Sequence, residues 1–152
     1  MSALDLDLSA PLRTAVIGSG DVVALLGGYA GEPSVHTRRP APSEAGYPMV
    51  IISADITLTD GDALTGSRPM LQRDITAYGI KGAPGDTSDQ TRDVEAIGYL
   101  LRELFHRNRF AITVPNYGVV SIVASGPIEA PTEDEKLVGR MVSLAIQLQR
   151  RG

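Results

Sequence analysis

One stretch limits the architectures open to this chain more than any other. From about Ser88 to Arg107 the sequence places Val94, Ile97, Leu101 and Leu104, with Leu100 and Phe105 beside them, on one broad apolar stripe, while Arg92, Glu95, Arg102, Glu103 and Arg107 take other faces. A stripe of that width has to be buried, and the flanking sequence is rich in β-branched residues. The pattern therefore predicts a long amphipathic helix laid on a sheet. Asp86, Ser88 or Asp89 could cap its start, and Arg107 and Arg109 suit the negative end of its dipole.

The sheet is legible on both sides of the helix. Met49 to Ile52 reads as a central strand entered through an extended Tyr47-Pro48. Met70 to Ile80 alternates, with Leu71, Arg73, Ile75, Ala77 and Gly79 on one face and Met70, Gln72, Asp74, Thr76, Tyr78 and Ile80 on the other. Between them, Thr57 to Pro69 carries the turn chemistry of Asp60-Gly61 and Thr65-Gly66-Ser67, a loop or an exposed hairpin arm. After the helix, Phe110 to Val114 and Val119 to Val123 read as short strands divided by the Pro115-Asn116-Tyr117-Gly118 turn, and "SGPIEAPTEDEK" as an acidic solvated connector.

Two terminal segments complete the pattern. Ser9 is placed to cap a helix with Pro11 in its first turn, Leu8, Leu12 and Val16 on one face and Gly18 at its end; a second short helix containing Val22, Val23, Leu25 and Leu26 follows, before the breaker "GGYAG". Val35 to Arg38 suits a short strand. The closing segment fits two periods. Leu137, Met141, Leu144 and Leu148 repeat at helical spacing behind a Thr132/Glu135 capping box, whereas Val138, Val142, Leu144, Ile146 and Leu148 share one face of a strand. The expectation is an α+β fold: a single mixed or antiparallel β-sheet packed by a long amphipathic helix and short N-terminal helices, one domain over 1–152 with a protruding arm at about 57–69.

Function is narrowed mainly by exclusion. A chain of 152 residues can bury a real core without staples, and it has no cysteine for disulfide or thiolate chemistry. A net charge of -4 argues against a protein that wraps nucleic acid, and no apolar run of about 18 residues is present to span a membrane. The opening "MSALDLDLSA" has acids where a secretory signal needs bases. "TAVIGSGDV" imitates a dinucleotide-binding turn, but the third glycine position falls on Val23 and the expected ribose-binding acid is missing near Pro40. The run before Gly18 reads at least as well as a helix.

His36 and His106 lie on separate elements without carboxylates at metal-ligand spacing, so His36 reads as a surface residue and His106 as a group favouring a helix dipole. The acid pairs Asp5/Asp7, Asp60/Asp62 and Asp86/Asp89 fit a terminus, a turn and a helix start, and Ser19 and Ser125 lack a nucleophile elbow. No catalytic, cofactor or metal constellation emerges. Arg38-Arg39, Arg68 and Arg73 give only a weak nucleic-acid signal, and Arg150-Arg151 reads as a solvated tail. What remains is assembly: the arm, the acidic 129–136 loop and partly apolar strands offer contacts to copies of the same chain.

In order, "YPMVIISADITLTDGDALTGSRPMLQRDITAYG", a polar gap, "TRDVEAIGYLLRELFHRNRF", "YGVVSIVAS" and the closing apolar segment resemble the tail-terminator or tail-completion proteins of long-tailed bacteriophages and phage-like particles. The resemblance spans about Pro11 to Gln149 and is one of layout. Tyr47-Pro48-Met49-Val50-Ile51 matches the family's aromatic-Pro-apolar strand, and Asp74-Ile75-Thr76-Ala77-Tyr78 its strand before the helix. It implies a final strand, and a mechanical, non-enzymatic role without cofactors. The subunit would join a homo-oligomer, a hexameric ring at the head-proximal end of the tail of a particle assembled in the host cytoplasm. The ring would cap the tail tube protein, stop its polymerisation and join a head-tail connector or stopper protein. On this reading Asp60, Asp62, Arg68 and Arg73 are candidate assembly or channel contacts, with the two arginines facing transient DNA. A head-to-tail connector or neck subunit is the alternative within the same machinery, and a small nucleotide-binding enzyme using Gly18-Ser19-Gly20 the alternative outside it.

Overall fold

The computed structural model describes residues 8–38, 41–53, 56–61, 68–83, 85–132 and 134–151. In chain order the elements are α1 (Ser9–Ile17), α2 (Gly20–Val23), β1 (Gly28–Tyr29), β2 (Glu32–Pro33), β3 (Val35–His36), β4 (Met49–Ile52), β5 (Ile56–Gly61), β6 (Arg68–Ile80), α3 (Thr91–Phe105), β7 (Tyr117–Glu129) and β8 (Leu137–Arg150). The main sheet runs β3-β4-β6-β8-β7, with β5 beside β6 beyond the end of β4. Every pairing in it is antiparallel except β3 with β4, so the sheet is mixed and the fold is α+β.

Helix α3 supplies the second layer. Val94, Ile97, Leu101 and Phe105 are fully buried on it, each contributing roughly 1.5–3 kcal/mol by leaving water. They meet the sheet face that carries Leu71, Ile75 and Ala77 on β6, and Val142, Leu144, Ile146 and Leu148 on β8. Two glycines let the layers approach: a Cβ at Gly79 would lie 2.5 Å from Val94 Cγ2, and one at Gly98 would lie 2.9 Å from Pro127 Cβ. Leu8, Leu12 and Val16 of α1 extend the same core.

Several local expectations are corrected. Helix α3 starts at Thr91, and Gln90 occupies its cap position. Gln90 N donates to Ile80 O (2.8 Å), while Gln90 Oε1 accepts from Ile80 N (2.9 Å), a reciprocal clasp that pins the helix start to β6. Asp86 and Asp89 instead order the preceding loop: Asp86 Oδ1 accepts from Ser88 N and Asp89 Oδ1 from Gly82 N, both at 2.9 Å. These bonds hold both carboxyls below the usual carboxylate range. Leu8, not Ser9, sits at the α1 cap, because the Ser9 hydroxyl accepts from Arg73.

The "GGYAG" breaker forms a tight hairpin between β1 and β2, with Ala30 and Gly31 at positive φ (52° and 82°). Phe110 to Val114 forms no strand and contributes only a bridge from Val114 to Tyr117, since Ile112 and Val114 fold into the core instead. Conversely β7 continues through Ser125 to Glu129, where a loop was expected. An edge strand tolerates Pro127, and Gly126 (φ 102°) takes up the register shift. The closing segment is a strand throughout, so no capping box forms: Thr132 Oγ1 bonds to Asp134 O and Leu137 O.

Candidate assembly surface

Among the described residues, the sheet's second face has no helix over its middle. Register places Met70, Gln72 and Asp74 of β6, Met141, Ser143, Ala145 and Gln147 of β8, and Val123, Ser125 and Ile128 of β7 on that side, all half-buried or exposed. Asp74 in its middle accepts from the Ser143 hydroxyl at 2.7 Å, so the face combines small, amide and apolar groups with a tethered charge. Val123 is 50% and Ile128 55% exposed. At the β4 corner the same face is covered, where Met49 and Ile51 pack with Ala45, Tyr29, Tyr47 and Tyr78. An open groove of about 830 Å³ runs between that corner and Leu137.

The arm is a hairpin in its described part: β5 pairs with β6 from Ile56↔Gln72 to Gly61↔Arg68. Asp60 lies opposite Pro69 on this ladder, and Asp62 lies outside the described residues. Arg68 is half-buried at the start of β6, with Nη2 donating to Gln149 Oε1 at 3.4 Å and Nε buried without a partner among the described residues. Arg73 departs from the expectation of an exposed contact. Its side chain is 1% exposed on the helix-covered face and donates to Ser53 O and, at 2.7 Å, to Ser9 Oγ. Alternation along β6 had already placed Arg73 beside Leu71 and Ile75, so its burial follows from period two.

Edge strand β7 is guarded rather than left open. Arg107 N donates to Ile122 O at 2.8 Å, and Ala124 N donates to His106 Nδ1 at 3.1 Å, which occupies outward polar groups of the strand. His106 therefore serves the sheet edge rather than a helix dipole. Charge is polarised along the long strands. Arg68, Arg109, Arg150 and Arg151 gather where β6 begins and β8 ends, near Asp60 of β5, whereas Asp86, Asp89, Glu129, Asp134 and Glu135 gather at the opposite end with Lys81, Lys136 and Arg140.

Chemistry outside this surface is sparse. Ser34 Oγ lies 2.9 Å from His36 Nε2, but Ser34 is fully buried and no substrate can reach it. His36, expected at the surface, is half-buried and meets the Tyr29 ring edge-on at 5.6 Å. Burial, and then the Arg13 guanidinium, hold its pKa below the ordinary imidazole value. The Gly18-Ser19-Gly20 turn joins two helices, so the strand that a dinucleotide fingerprint requires is replaced by α1. Among the described residues no cluster of His, Asp and Glu could hold a metal ion, and no helix is long and apolar enough to cross a membrane.

No protein-family model matches the sequence, and no curated protein is similar to it. The fold is similar to that of a chain in a solved structure described as the virion of a native gene transfer agent particle. That similarity covers 100% of both chains with a TM-score of 0.69 at 15% sequence identity.

Proposed function

We propose that this chain is a structural subunit of a phage-like particle and, within it, the tail terminator. In this reading it forms a ring, of six copies by the resemblance of its layout, that caps the tail tube, halts tube growth and presents its other axial face to the head connector. The observation that carries the proposal is a pair: a fold similar over its full length to that of a virion-particle chain, and a sheet that, among the described residues, is covered by helices on one face only. A subunit working by shape needs complementary surfaces rather than an enclosed reactive pocket.

Size supports the use of more than one surface. Strands β6, β8 and β7, 13 or 14 residues long, give an open face of roughly 600 Å² at about 4.8 Å between strands and 3.3 Å per residue. A stable interface takes about 800 Å² per partner, so the β5–β6 arm would have to contribute to any contact made by this face. Asp60, Asp62 and Arg68 are the arm's candidate contacts. The test is polymerisation of the cognate tail tube protein with and without this chain, scored by electron microscopy. Tubes of arrested length bearing a ring at one end are expected. Unaltered tubes with the chain bound instead to connector rings would make it a neck subunit and overturn the terminator reading.

A further inference from the structure

A small cavity at the cationic end of the sheet is left unused by the reading above. It has a volume of about 280 Å³ and lies between the segment that follows α3 and the start of β7. Arg109 and Arg151 line it, and both are exposed without an ion pair among the described residues. Each is held in place by a neighbour. The Arg109 guanidinium sits over the Phe110 ring at 4.9 Å, and Arg151 N donates to Asn116 O at 2.9 Å. Gly118 leaves room beside Arg151, since a Cβ there would lie 3.6 Å from Nε. Tyr117 lines the same cavity, is 2% exposed, and carries a buried hydroxyl with no partner among the described residues. The two guanidinium groups make the cavity a donor-rich, cationic site, and a carboxylate seated there would accept charge-assisted hydrogen bonds from them.

We propose that this cavity binds a carboxylate supplied by the acidic β7–β8 connection of a second copy of the chain. Glu129 and Glu135 there are exposed and make no ion pair among the described residues. They cannot reach the cavity of their own subunit: the β7–β8 ladder runs from Tyr117↔Arg150 to Glu129↔Arg140, and the steps from Arg140 to Arg150 span about 33 Å. Joined head to tail, two different patches that meet only between copies make a heterologous contact, the kind that closes rings or grows rows. The volume suits one acidic side chain with its water and is small for a whole nucleotide. This inference rests on the assembly reading, and it names the chemistry of one contact within it.

The test is sedimentation velocity on the full chain over a concentration series with two double variants, Arg109→Gln/Arg151→Gln and Glu129→Gln/Glu135→Gln. Both should melt as the wild type does, and each should raise the concentration for half-association about tenfold, one decade of Kd. An equimolar mixture should form a discrete pair, because each variant retains the patch the other has lost. Millimolar inorganic phosphate should weaken wild-type association at fixed ionic strength and leave the arginine variant unaffected. Rings that form equally well from both variants would overturn this contact while leaving the ring reading intact. A wild-type monomer at every concentration would overturn both. Loss of short duplex DNA binding in the arginine variant, with unchanged association in the acidic variant, would make the cavity a phosphate site instead.

Discussion

Gly79→Ala isolates the contact that sets the distance between α3 and the sheet. The new Cβ would lie 2.5 Å from Val94 Cγ2 and 3.1 Å from Gln90 Cβ, against about 3.5–4.0 Å for a comfortable carbon contact. Neither neighbour can yield easily. Val94 is fully buried and, as a β-branched helical residue, has one favoured rotamer; the Gln90 side chain is held by Ile80 N and Tyr47 O. The helix must therefore move out by about 1 Å, an overpacking cost of roughly 1–3 kcal/mol, less about 0.5–1 kcal/mol from stiffening the unfolded chain. The expected net loss is about 1–2 kcal/mol, which lowers Tm by roughly 2–8 °C in a chain of this size. Chemical and thermal denaturation of Gly79→Ala, Val94→Ala and the double variant check it, and the double should be about 1 kcal/mol more stable than the sum of the singles implies. Gly20→Ala is the control: its Cβ meets nothing within 4 Å in α2, so it should be neutral or stabilising by up to about 1 kcal/mol. A Gly79→Ala protein as stable as the wild type would refute the argument.

Three further outcomes follow from named interactions. Arg73→Ala should cost about 2–4 kcal/mol by emptying a buried site and leaving Ser53 O and Ser9 Oγ without that donor, and Ser9→Ala should cost less in the Arg73→Ala background than in the wild type. Because the His36 pKa is lower in the folded chain than in the unfolded one, the unfolded state takes up the proton first. Stability should be whole above the ordinary imidazole value and fall as pH drops through it, a slope that His36→Asn should flatten in pH-resolved urea titrations. Asp86 and Asp89 are likewise held below their unfolded values, the usual displacement for a carboxylate: their contribution is present above the ordinary carboxylate pKa and lost as pH falls toward the folded one. Asp89→Asn should therefore reduce protection of the Gly82 amide in hydrogen exchange at neutral pH and leave little further loss on acidification.

The parts of this fold legible in the sequence are those where burial alone sets the pattern. Period two along Met70–Ile80 gave both faces of β6, and the stripe from Val94 to Phe105 gave α3 and its need for a sheet. Features that depend on distant partners were not legible. The Leu137-to-Leu148 stretch satisfies helical and strand periods alike, and it becomes a strand because β6 and β7 flank it on both sides. Ser9 looks like a cap until Arg73, 64 residues away, claims its hydroxyl. The β7 extension past Pro127 depends on that strand lying at the sheet edge and on Gly98 of α3 receiving the ring. Of the surface, the antiparallel β5–β6 pair and the acidic turn before β8 could be located from turn and charge composition. Arg151 and Tyr117 could not, since one reads as a tail and the other as a turn residue until the chain folds them around one cavity.

Native mass spectrometry of the purified chain over a concentration series, with negative-stain imaging of the largest species, tests the central proposal most directly. A discrete closed oligomer that images as a ring of six, formed without added nucleotide or metal, is the predicted result. A strict monomer at all concentrations, or an open-ended distribution of sizes with no closed species, would contradict it.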